Sequence, residues 1–184
     1  DPTKRAKIHF DETKEFYQTK NIHIFTGDIQ KDYYTHIKDL KPNFEKFQYV
    51  DIGLWDHLDE LKFFKPTNPK YVSHSLIPNM VSNEYEKVKV DSIGNIMLKY
   101  QHQHIDLLKL DIEGAEMKAL EGAFNLVGST SPLIIMEFSK YIFSNQSKVT
   151  FFNNFLNKFD YSIYDTTCNK INLDKIMINL DNLN

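Results

Sequence analysis

Between Ile105 and Gly122 a short apolar run passes directly into a helical repeat, and Asp111, Glu113 and Glu116 fall at the change of period. That junction constrains the rest of the chain. Ile105, Leu107, Leu108, Leu110 and Ile112 have the length and character of a strand buried on both faces of a parallel sheet. Beyond Asp111, residues Ala115, Ala119 with Leu120, Ala123 with Phe124, and Val127 recur at helical spacing, and Gly128 is the expected stop. Open α/β sheets hold ligands beyond the carboxyl ends of their strands, so these three carboxylates stand where chemistry is expected. The structural alternative is that Glu113 and Glu116 complement the positive end of the helix dipole, one of them capping its free amides.

The string from Asp106 to Glu116, Asp-Leu-Leu-Lys-Leu-Asp-Ile-Glu-Gly-Ala-Glu, closely resembles the signature of the FkbM-type S-adenosylmethionine-dependent methyltransferases. Val88–Ile93 resembles the strand and turn before that signature, and Pro132–Glu137 the strand after it. Val50–Asp56 with Leu61–Phe64 resembles an earlier strand and hairpin, so the likeness covers roughly residues 47 to 139 and more weakly the rest. It implies a Rossmann-like class I methyltransferase fold: α/β, a mostly parallel sheet with an antiparallel closing strand, and one domain over residues 1–184.

The same resemblance assigns a cofactor site for S-adenosylmethionine. Asp1-Pro2 matches the end of the family's second strand, where an ionised carboxylate suits the ribose diol because it accepts two charge-assisted hydrogen bonds. Gly53, Leu54 and Trp55 match the corner that borders the adenine ring, and Asp111 lies at the signature strand end. For Trp55, the only tryptophan, the alternative to stacking on adenine is packing in or near the core. Gly27, Gly53, Gly94, Gly114, Gly122 and Gly128 never fall two apart, so no G-x-G loop brings backbone close to a cofactor. The first strand and its glycine-rich turn are therefore expected upstream of Asp1, and the chain, which begins without methionine, reads as N-terminally incomplete.

Methyl transfer to an oxygen requires a fixed donor, an acceptor held in line, and removal of the acceptor proton. Asp111 and Glu113 are candidates for orienting or deprotonating a hydroxyl. His74, between two serines in an expected loop, is the chain's best placed neutral-pH proton acceptor, with a solvated loop histidine as the alternative. Glu137 ends the strand Leu133–Met136 and is expected beside Asp111 and Glu113, where mutual repulsion raises at least one pKa. The resemblance implies O-methylation of a hydroxyl on a sugar or other small molecule. The alternative is a catalytically inactive methyltransferase-like scaffold or binding module of a larger polypeptide. Nothing matches G-x-x-x-x-G-K-[ST], which argues against a third reading as another nucleotide-binding enzyme.

Elsewhere, residues 3–20 and 32–40 read as helices, 21–25 as a strand closed by Thr26-Gly27-Asp28 as a turn, and Phe47–Leu54 and Leu61–Lys65 as strands. Val149–Phe159 is an amphipathic helix with five inward apolar residues, and Tyr161–Tyr164 with Lys175–Asn179 the closing antiparallel pair. His102 and His104 have no cysteine nearby and read as linker rather than metal ligands. The net charge of −3 leaves no basic stripe for a nucleic acid, and no run approaches a membrane span. With one cysteine, Cys168, the chain reads as cytoplasmic.

Overall fold

The structure, a computed structural model, describes residues 24–27, 47–66, 74–77, 81–139, 142–143 and 145–181. Asp1, Pro2, Asp28 and the helices expected over 3–20 and 32–40 lie outside the described residues. The chain divides into two compact units, Asp1–Gly53 and Leu54–Asn184. In the first, β1 (Ile24–Gly27) and β2 (Phe47–Val50) pair in parallel, from Ile24 opposite Phe47 to Gly27 opposite Val50. The strand expected over Phe47–Leu54 is broken at 51–52, and β3 (Gly53–Trp55) follows separately.

In the second unit β4 (Asp59–Pro66) and β5 (Val81–Ser92) form an antiparallel ribbon, joined by β3 in the order β3-β5-β4. Phe63, Val88 and Val90 point inward while Lys62, Lys87 and Lys89 stay exposed, the period-2 alternation of a half-covered sheet. Helix α1 (Ile93–Lys99) starts without a loop because the Ser92 hydroxyl accepts from the Asn95 amide at 3.1 Å and caps it.

The central unit follows as β6 (Leu107–Leu110), α2 (Glu116–Thr130) and β7 (Leu133–Met136), with β6 and β7 parallel and Leu110 opposite Met136. The two-sided burial expected for β6 is not found. Leu108 and Leu110 are inside, but Leu107 and its partner Leu133 are 54 % and 66 % exposed on the other face, because no described element covers that side. Nor does α2 stop at Gly128. It runs to Thr130, and Ser131 takes the left-handed terminating conformation at φ 49°, its amide bonding the Val127 carbonyl at 2.9 Å. Gly128 serves packing instead: a Cβ there would sit 2.8 Å from the Phe159 ring.

Helix α3 (Gln146–Phe159) lays Phe152 and Phe155 into the core with Leu110, Met117, Leu120 and Val127. The chain then closes differently from expectation. Ile163–Tyr164 (β8) pairs antiparallel with Lys170–Ile171 (β9), and Lys175–Asn179 lies within a helix, α4 (Leu173–Asp181). The Asn172 carboxamide caps that helix by accepting from the Lys175 amide at 2.9 Å, and Leu173 and Ile176, three apart, are both buried. Among the described residues the strand pairing is mixed rather than mostly parallel: β1–β2 and β6–β7 pair in parallel, β4–β5 and β8–β9 antiparallel. None of the described helices is long and apolar enough to cross a membrane.

Candidate active site

The parallel register of β6 and β7 brings two strand ends to one level. The Glu137 amide donates to the Leu110 carbonyl at 3.1 Å, so Glu137 leaves β7 beside Asp111 as it leaves β6. Burial, then the charges of Glu113, Asp111 and Glu116, hold the Glu137 pKa above its ordinary value, with Lys109 opposing. Lys109 itself bonds Asp111 at 2.8 Å in an exposed pair that contributes little to stability.

Between β6 and α2 the chain makes a strained turn. Glu113 stands at φ 54° and Gly114 at φ 99°, both in the left-handed region, and only the glycine adopts it without a Cβ penalty. Ala115 at the N-cap offers no side-chain cap, and the Glu116 carboxyl does not cap the helix but turns back to the Ile112 amide at the strand end. The Glu116 carboxyl is fully buried, its Oε1 accepting from the Ile112 amide at 3.0 Å. Its Oε2 is enclosed without a hydrogen-bond partner among the described residues. Burial first, and the charge of Glu113 more weakly, raise its pKa against the lowering effect of the Ile112, Glu116 and Gly114 amides.

The turn is tied to a distant segment. The Ser75 hydroxyl donates to the Glu113 carbonyl at 2.7 Å and accepts from the Ile77 amide at 3.0 Å, while Ser75 and Phe64 exchange backbone bonds of 2.8 and 3.1 Å. His74, next along, stacks its ring on Phe63 with centroids 5.3 Å apart.

A second corner lies further along α2. Lys118 Nζ reaches Asp56 and Glu121, each at 2.6 Å, and stands 5.9 Å over the Trp55 ring. Burial works against the Asp56 charge, but hydrogen bonds from Lys118 and His57 outweigh it and hold that carboxyl below its ordinary pKa. Gly122 lets α2 seat directly on this corner, since a Cβ there would meet the Trp55 carbonyl oxygen at 2.3 Å. Trp55 is therefore half-buried against the helix, and Leu54 packs on the core.

Of the residues singled out in the sequence, Asp111, Glu113 and Glu137 are gathered at one corner, and His74 is joined to it through its neighbour Ser75. Gly53, Leu54 and Trp55 belong to β3, with Trp55 facing Lys118 rather than the carboxylates. Asp1 and Pro2 lie outside the described residues. His104 Nε2 lies 3.1 Å from Asp106, and no group of three or more histidine, cysteine or acidic side chains among the described residues is arranged to hold a metal. Two residues were missed: Ser75, which has no local sequence signal for its bond to a carbonyl 38 residues away, and Lys118, whose bond to Asp56 spans 62 positions.

No curated protein and no solved structure matches the chain significantly. A family model described as the methyltransferase FkbM domain matches residues 11–163, well over half of the sequence, including the carboxylate corner and Ser75. The chain belongs to the FkbM methyltransferase domain family.

Proposed function

We propose that the protein is an S-adenosylmethionine-dependent O-methyltransferase acting on a hydroxyl of a sugar or other small molecule. The observation that carries this reading is the meeting of Asp111, Glu113 and Glu137 beyond the parallel ends of β6 and β7, in a chain of this family. In a Rossmann-like sheet that is the ligand-bearing edge. Within the cofactor site, the family resemblance assigns the Asp1 carboxylate to the ribose hydroxyls.

The corner suits the donor's charge. Glu137 feels the negative field of three other carboxylates, and the same field favours a sulfonium cation. When bound, S-adenosylmethionine supplies an electrophilic methyl group. The chain's own residues orient the acceptor and receive its proton. Glu137, with its pKa raised toward the working range of a general base, takes the hydroxyl proton, and Asp111 and Glu113 accept hydrogen bonds from neighbouring hydroxyls. His74 is the alternative proton acceptor, half-buried on the Phe63 ring.

Calorimetric titration of S-adenosylhomocysteine tests the donor site, and transfer of labelled methyl groups from S-adenosylmethionine to a panel of free sugars tests the reaction. Saturable binding to the wild type is expected. Glu137→Gln should bind equally well and transfer about 10²–10⁴-fold more slowly, the usual contribution of a positioned base. Absence of binding by the folded full-length polypeptide would overturn the reading and favour the inactive scaffold.

A further inference from the structure

We propose that Ser75 is a positioning residue of the acceptor site: its hydroxyl, by holding the Glu113 carbonyl, fixes the left-handed turn that carries the Glu113 carboxylate to the ends of β6 and β7. The inference rests on the methyltransferase reading above and gives the Ser75 side chain a task within it.

The geometry excludes direct contact with an acceptor. Ser75 is 6 % exposed, and both hydrogen-bonding roles of its hydroxyl are occupied, as donor to Glu113 and as acceptor from Ile77. The bond matters because of where it lands. A glutamate at φ 54° sits in a conformation that its own Cβ disfavours, and such a residue persists only where surrounding structure holds it. On one side Ile112, bonded to Glu116, anchors the turn, and on the other Gly114 leads into α2. The Glu113 carbonyl lies between these anchors, and Ser75 is its clamp. The clamp is rigid in turn, because Ser75 is bridged to Phe64 of β4 through both backbone groups.

The consequence is a coupling between the 74–77 segment and the carboxylate corner. Release of the carbonyl lets Glu113 relax out of the left-handed region and swing its carboxylate away from Glu137. The groups facing Glu137 are Asp111 and Lys109 from the end of β6, Glu113 from the turn and Glu116 from α2, and Lys148 of α3 acts on Glu116 in turn. Of these, Glu113 is the one whose backbone Ser75 holds.

The test is carboxyl-detected NMR titration of Glu137 in the wild type, Ser75→Ala, Ser75→Thr, Glu113→Gln and the double variant Ser75→Ala/Glu113→Gln, beside calorimetry with S-adenosylhomocysteine. The Glu137 midpoint is expected to fall in Ser75→Ala toward its value in Glu113→Gln, to recover in Ser75→Thr, and not to fall further in the double variant. A folded Ser75→Ala with the wild-type midpoint, or a double variant whose shift is the sum of the two single shifts, would overturn the inference. If Ser75→Ala does not fold, Ser75→Cys keeps a small side chain with a weaker donor and carries the same comparison. Absence of S-adenosylhomocysteine binding by the folded full-length wild type would strike the methyltransferase reading, whereas an unmoved Glu137 midpoint with binding intact strikes only Ser75.

Discussion

Along its C-terminal half α2 presents Phe124 and Val127 to Phe155 and Phe159 of α3, whereas at its first residue it buries the Glu116 carboxyl with one oxygen lacking a partner. In the aromatic region the rings meet edge-on, Phe124 with Phe159 at 4.8 Å and Phe155 with Phe159 at 5.1 Å, arrangements that aromatic quadrupoles favour. Within the helices the backbone there is regular, left-handed only at the terminating residues Ser131 and Asp160, and even Gly128 is used to admit a ring. At the other end the same helix begins on a turn with two consecutive positive φ angles and carboxylates that repel one another. One end of α2 is built for stability. The other holds strain and raised pKa values, which burial and a few hydrogen bonds keep in place, and that is the arrangement found where a protein does chemistry.

The sharpest way to break the contrast is to damage the stable end. Phe155 is 1 % exposed and meets Phe124, Phe151, Phe152, Phe159 and Tyr161, so Phe155→Ala opens a cavity between α2 and α3. The expected cost is about 3–5 kcal/mol in urea denaturation. Because the carboxylate turn is held by Ser75 and by amide bonds to Glu116 rather than by these rings, the Glu137 midpoint should stay where it is in molecules that remain folded. A midpoint shift in folded Phe155→Ala would show that the two ends are one cooperative unit.

The stable end was also the legible one. The periodicity Ala115, Ala119, Leu120, Ala123, Phe124, Val127 and the phenylalanines of α3 are local signals, and every residue of that α2 set is buried except Phe124, which is half-buried against α3. β7 fell at Leu133–Met136 as expected because Pro132 and a short apolar run bound it. Where a run was short and its period ambiguous the reading failed. Ile-Met-Ile at 176–178 fits a strand as well as a helix, and the decision belonged to the Asn172 cap. In the site, Asp111, Glu113 and Glu137 were legible as a group because parallel pairing fixes which strand ends meet. What holds them was not: Ser75 acts on a backbone carbonyl, which every residue possesses, across 38 positions. Nor does an acidic residue in a signature announce that its carboxyl will be the buried one, as Glu116 is.

A smaller effect sharpens the comparison through pH. Glu116 and Glu137 both have pKa values raised by folding above the ordinary 4.5. Each therefore contributes stability that is complete below pH 4.5 and is lost as pH climbs through its folded-state value. Asp56, lowered below 3.8, acts oppositely and in a separate window, its contribution present above that value and lost as pH falls through its folded-state pKa. Urea denaturation should show wild-type stability declining as pH rises from 4.5 toward neutrality, and Glu116→Gln should flatten that decline. Relative to the wild type the variant gains on going up in pH. Parallel pH profiles for the two proteins would mean that Glu116 is not raised.

The smallest expected effect separates strain from packing most directly. Glu113 occupies the left-handed region at φ 54°, a conformation that costs a residue bearing a Cβ roughly 1–2 kcal/mol. Glu113→Gly removes that penalty and introduces the greater backbone freedom of glycine in the unfolded chain, about 0.5–1 kcal/mol in the other direction. The balance is a gain of about 0.5–1 kcal/mol, enhanced by relief of repulsion with Glu137 and Glu116. A residue that only packs loses stability when its side chain is deleted, so the sign of the change is decisive. Thermal denaturation at neutral pH should place Glu113→Gly slightly above the wild type, while labelled methyl transfer falls. A variant both less stable and fully active would mean that the Glu113 side chain supports the turn and takes no part in the chemistry.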